Sequence, residues 1–154
     1  CIFAQGLCQP ILSCATPNSD DTRTIWQSCR LTTKNNEETF MTIVRIDAEA
    51  RWSDVVIHNQ TLYYTGVPSN LDADACAQTA DTLAQIDAVL EKQGSSKSRI
   101  LDATIFLADG ADFAAMNQAW DAWVVAGHAP VRCTVQAKLM NPKYKVEIKI
   151  IAAV

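Results

Sequence analysis

Apolar and polar positions alternate in short runs at Ile43 to Ile46, Ser53 to His58 and Leu62 to Thr65, and each run reads as a strand. Asn59 and Gln60 supply a turn between the last two, so the three runs form a meander. The period then changes. Cys76, Ala80, Leu83, Ile86 and Leu90 fall on one stripe at spacings of three and four, which predicts a helix capped by Asp72 and closed at Gly94. Ile100 to Ala108 is a largely apolar strand, and Asp109 opens a second helix whose Phe113, Met116, Trp120 and Trp123 share a face. Val131 to Lys138 and Tyr144 to Ala152 alternate again and read as a closing hairpin joined through Asn141 and Pro142. The predicted order is βββαβαββ, an α+β fold with two helices on one face of a sheet.

Side-chain alternation in the last two strands assigns their faces. Val131, Cys133, Val135 and Ala137 oppose Arg132, Thr134, Gln136 and Lys138, while Val146, Ile148 and Ile150 oppose Lys145, Glu147 and Lys149. If both apolar sets meet the helices, Arg132, Thr134 and Glu147 share the uncovered face. A face left open in this way is commonly buried by self-association, which predicts a symmetric oligomer.

Residues 1–40 sustain neither period, and Pro10, Pro17, Asn18, Asn35 and Asn36 punctuate them without framing elements. This stretch is read as a non-native or disordered extension, with Met41 as the natural start and 41–154 as the folded domain. Of the 6 cysteines in the 154-residue chain, Cys1, Cys8, Cys14 and Cys29 lie in that extension, and only Cys76 and Cys133 in the domain. The opening apolar stretch lacks a basic start and is broken by Gln5, Gln9 and Pro10, so a secretory signal is not expected; the expected location is the cytoplasm.

Composition narrows the functional classes. With 49% apolar residues the chain can bury a core without metal or disulfide support, and no apolar run is long enough for a membrane span. A net charge of -4 leaves no basic field for nucleic acid or anionic lipid. His58 and His128 have no ligand-like neighbours, no C-x-x-C occurs, and neither a metal nor an organic cofactor is expected. The five glycines are isolated, so the Walker, dinucleotide and nucleophile-elbow patterns are absent. What remains is Arg132, able to pair with a carboxylate, and Glu147, able to handle a water. By itself such a pair reads more readily as a solvated surface ion pair. Cys133, on the apolar parity of its strand with no histidine to activate it, reads as an inert buried thiol, and Cys76 as a core thiol.

The run Ala129-Pro130-Val131-Arg132-Cys133-Thr134-Val135, followed by Lys145-Val146-Glu147-Ile148, resembles the closing motif of the Rid family, also called YjgF, of reactive-intermediate deaminases. Tyr64-Thr65-Gly66, Gln78-Thr79 with Leu83, Ile86 and Leu90, Thr104 to Leu107, and Asp112-Phe113 with Met116-Asn117 extend the resemblance over essentially all of residues 41–154. The resemblance implies a chorismate-mutase-like fold assembled as a homotrimer with clefts between subunits. It implies hydrolysis of 2-imino acids or their enamine tautomers to 2-oxo acids and ammonia, without a cofactor. Arg132 would grip the substrate carboxylate, Glu147 would hold or activate water, and Trp52, Thr65, Gly66, Asn117 and Thr134 would line the cleft. Three positions depart from the usual pattern: Trp52 stands where tyrosine is usual, Thr65 where serine is usual and Thr134 where cysteine is usual. Two other classes compete, a non-catalytic module binding a 2-oxo acid or similar carboxylate, and an RNase or translation inhibitor, against which the acidic balance counts.

Overall fold

The computed structural model describes residues 42–154. The expectations for residues 1–40, and for Met41 as a start, lie outside the described residues. Strands β1 (Val44–Ala48), β2 (Ser53–His58) and β3 (Thr61–Gly66) form the meander, with Asn59 and Gln60 both at positive φ in its tight turn. Helix α1 (Ala75–Lys92), strand β4 (Ile100–Leu107), helix α2 (Phe113–Trp123) and strands β5 (Val131–Gln136) and β6 (Val146–Ala153) follow. The order is the predicted βββαβαββ, an α+β arrangement with six strands in one mixed sheet. No helix among the described residues is long and apolar enough to cross a membrane.

The expected closing hairpin does not form. The sheet order is β1-β2-β3-β6-β4-β5, so β4 separates β5 from β6. β6 is antiparallel to both β3 and β4, and β5 runs parallel to β4 at the sheet edge. Two helical crossovers produce this pattern: α1 carries the chain from β3 past the slot that β6 fills, and α2 carries it from β4 to its parallel neighbour β5. The burial patterns agree with these places. Val146, Ile148, Ile150 and Ala152 of the central β6 are fully buried, whereas edge strand β5 contains no fully buried residue.

Gln78 decides where the chain turns between β5 and β6. Its amide nitrogen donates to the carbonyls of Leu71, Ala73 and Lys143, and its Oε1 accepts from the Lys145 amide at 2.8 Å. One side chain of α1 thereby fixes the segment that delivers β6 to the centre of the sheet. Gln78→Leu, which keeps the volume, should lower unfolding stability by about 2–4 kcal/mol in urea denaturation, because the backbone groups of Lys143 and Lys145 lose buried partners.

The core lies between the sheet and the helices, with Leu83, Ile86 and Leu90 of α1 and Met116 and Trp120 of α2 meeting Leu62, Ile105, Leu107, Ile148 and Ile150. The buried face of α1 departs from the predicted stripe at its N-terminal half: Cys76 is only partly buried and Ala80 is exposed, while Gln78, Thr79 and Thr82 are buried. Threonines are accommodated there because each hydroxyl donates to the carbonyl four residues back, Thr79 to Ala75 and Thr82 to Gln78. Asp74, not Asp72, caps α1 by accepting from the Ala77 amide at 2.8 Å; Asp72 instead pairs with Lys143. Asp109 caps a short 3-10 turn ahead of α2, and Phe113 at the start of α2 is 46% exposed instead of joining the core stripe.

Candidate functional site

Arg132 does not lie on the uncovered face. In the parallel pairing it stands opposite Ala103, with Thr134 opposite Ile105, and both of those partners are buried under the helices. α2 precedes β5 and lies over this side, where it offers the guanidinium two kinds of support. Arg132 Nη1 donates to Asn117 Oδ1 at 2.8 Å, and its guanidinium carbon sits 5.2 Å from the centroid of the Trp120 ring. Asn117 and Trp120 are one turn apart on α2 and therefore share a face. Among the described residues no carboxylate pairs with Arg132, so the remaining edge of its planar fork is available. Thr134 Oγ1, two residues along on the same side, is shielded from solvent and has no hydrogen-bond partner among the described residues.

Reversed parity also moves Cys133. Its thiol is exposed on the open face, with Sγ 3.7 Å from Thr104 Oγ1, and is not a buried core group. Val131 and Val135 share that face at 74% and 45% exposure. The valines face outward because Arg132 and Thr134 occupy the side of the strand that α2 covers.

Glu147 does lie on the open face. It stands opposite Phe106 on β4, and with Trp52, Thr65, Tyr63 and Lys149 it lines a hollow of about 580 Å³. Trp52 is 62% exposed at the lip, and its carbonyl accepts from the Glu49 amide to close the β1–β2 turn. Thr65 faces Lys149 across β3 and β6. The predicted site residues therefore fall into two groups, Arg132, Asn117 and Thr134 on the helix side of the edge strand, and Trp52, Thr65 and Glu147 on the other side of the sheet.

Gly66 belongs to the end of β3 under α1. A Cβ there would meet Thr82 Cγ2 at 3.1 Å and Tyr64 Cε1 at 3.3 Å, so the missing side chain lets α1 pack closely on β3. Tyr64, half-buried at the rim of the hollow, has its phenol held above the ordinary value of 10.0 by burial and, secondarily, by the negative charge of Asp54. The folded state thus binds the phenolic proton more tightly than the unfolded chain. Tyr64 adds stability that is complete below pH 10 and declines as pH rises through its raised folded value. Tyr64→Phe should remove this part of the alkaline decline, as measured by urea denaturation at successive pH values from 8 upward.

Among the described residues, a six-stranded mixed sheet carrying two helices on one face defines an α+β fold class, with Arg132 at its edge and the Glu147 hollow behind it. The family model described as Endoribonuclease L-PSP matches residues 42–154, and the chain belongs to that family. The RutC family protein YoaB of Escherichia coli K12 is 90% identical over 114 residues, which is 74% of this chain and 100% of that protein. A crystal structure from Salmonella typhimurium is 87% identical with a TM-score of 0.70, covering 74% of this chain and 99% of that one. The structure of a YjgF family member from Neisseria meningitidis is 45% identical with a TM-score of 0.71, covering 74% and 96% respectively. These similarities agree with the Rid/YjgF resemblance read from the motifs.

The sequence reading named Arg132, Glu147 and Asn117 as candidates, counted Trp120 only as core and did not single out Tyr63, Asp54 or Lys149. The signal for Trp120 was available, since its spacing of three from Asn117 puts both on one helical face. The residues of the hollow come from three strands and the turns beside them and had no common signal along the chain.

Proposed function

We propose that the protein hydrolyses 2-imino acids, or their enamine tautomers, to 2-oxo acids and ammonia at clefts formed between copies of the chain in a homotrimer. The observation that carries this is Arg132, a guanidinium oriented by Asn117 and Trp120 with no carboxylate partner among the described residues. Such a fork can hold a substrate carboxylate through two parallel charge-assisted hydrogen bonds, which fixes the adjacent C=N carbon. Water then adds to the protonated imine carbon, and the carbinolamine collapses to a C=O group as ammonia leaves. Glu147 suits the proton transfers, taking one from water and returning one to nitrogen.

The arrangement across the sheet supports assembly. Within one chain Arg132 and Glu147 occupy opposite faces, with β4 between their strands, so they cannot grip one small molecule together. Their groups can meet only if the edge of one copy approaches the open face of another. Val131, Val135 and Tyr63, exposed at 74%, 45% and 39% on the open face, are apolar area suited to such contact.

The test is to generate 2-iminopropanoate or 2-iminobutanoate with an amino-acid oxidase in the presence of semicarbazide and to add the protein. Less trapped semicarbazone, with 2-oxo acid and ammonia released in equal amounts, is expected. Decay no faster than in buffer would end the catalytic proposal, while calorimetric binding of 2-oxobutanoate that depends on Arg132 would then favour a non-catalytic carboxylate-binding module, because the guanidinium half of the site suffices for that.

A further inference from the structure

The support beneath Arg132 extends well beyond its immediate contacts. Trp120 is 4% exposed, and its ring lies 5.3 Å from that of Trp123 at an interplanar angle of 57°. Trp123 is fixed in turn from α1, since its indole N–H donates to Asp87 Oδ2 at 2.8 Å. Lys97 closes the far end, 3.8 Å from Asp87 and 5.6 Å over the Trp123 ring. The series Asp87, Trp123, Trp120, Arg132 therefore runs from one helix through the other to the sheet edge, joined at each step by a hydrogen bond or a ring contact.

We propose that Trp120 is a positioning residue that holds the Arg132 guanidinium against its ring face, leaving the edge of the fork to receive a carboxylate, with Trp123 and Asp87 preventing the ring from tilting away. This rests on the carboxylate-gripping role of Arg132 proposed above. An arginine on an edge strand has several rotamers of similar energy, and each hydrogen bond it makes must overcome the loss of that freedom. Asn117 restrains one nitrogen only, so the guanidinium plane can still swing about that contact. A ring face beneath it removes that motion, and the attraction between cation and ring quadrupole strengthens where water is excluded.

The experiment has two readouts. In the first, the Arg132 Nε–Hε resonance of the full chain is followed by NMR; the Trp120 ring should shift it upfield, and Trp120→Leu should return it toward the position of a free arginine. In the second, binding of 2-oxobutanoate is measured for Trp120→Leu and Trp120→Phe, each with and without Arg132→Ala. Trp120→Leu should weaken binding about two- to thirty-fold. Trp120→Phe, which keeps a ring face, should recover most of that loss, and neither variant should weaken binding further once Arg132 is alanine. A core-packing role alone would give equal losses in both backgrounds and no rescue by phenylalanine, which would overturn the assignment, as would an unchanged Arg132 resonance in Trp120→Leu. If Trp120→Leu melts below the assay temperature, Trp120→Met fills the volume without a ring and carries the same expectations. Wild-type binding by Arg132→Ala would instead defeat the carboxylate role of Arg132 itself, a result distinct from an Arg132-dependent affinity that ignores Trp120.

Discussion

Arg132→Ala should reduce kcat/KM for 2-imino acid hydrolysis by about tenfold to two-hundredfold or more, because a charge-assisted hydrogen bond to the carboxylate contributes roughly 1.5–3 kcal/mol and the fork can make two. The structure sharpens this expectation. Removing the guanidinium also leaves Asn117 Oδ1 without its donor and Trp120 without its cation. Folding should be little affected, since Arg132 sits on an edge strand with no fully buried residue. A melting temperature within a few degrees of wild type, together with the loss of rate, would separate the site effect from unfolding. Arg132→Lys should recover only part of the activity, as an ammonium supplies charge without the planar fork. Wild-type turnover by the alanine variant would remove the basis for the deaminase proposal.

Subunit mixing should restore activity to two impaired variants. If the site combines Arg132 of one copy with Glu147 of a neighbour, Arg132→Ala and Glu147→Gln each lack one half of every site in their own assemblies. General acid-base catalysis contributes about 10²–10⁴-fold, so Glu147→Gln should be nearly inactive alone. Co-expressed in equal amounts, the two chains form mixed rings in which an intact arginine meets an intact glutamate at about one site in four, giving roughly a quarter of the wild-type rate. That fraction holds for any closed ring and does not depend on the subunit number. A site contained in a single chain could not be rebuilt in this way, so activity no greater than the mean of the two pure variants would exclude a cleft between copies. The opposite-face placement of Arg132 and Glu147 makes recovery the expected outcome.

Local pattern carried most of the secondary structure. The alternation in β2 and β3, the long apolar run of β4 and the stripe of Leu83, Ile86 and Leu90 each reflect a face that must avoid water, and such a face writes its own period into the sequence. Where pattern misled, a specific side chain had satisfied an otherwise unfavourable placement. Thr79 and Thr82 are buried because their hydroxyls bond backwards along α1. Arg132 lies under α2 because Asn117 and Trp120 receive it, and that reverses the parity of the whole edge strand.

From the sequence alone came the element order, the two-helix α+β class, the family resemblance and the residue types that suit carboxylate binding and proton transfer, all of which depend on local periodicity and motif. Tertiary structure alone decided that β6 enters the sheet between β3 and β4, that β5 is an edge, and that Arg132 and Glu147 face opposite ways. Strand neighbours are chosen by long-range pairing and by the hydrogen bonds of Gln78, and neither leaves a period along the chain.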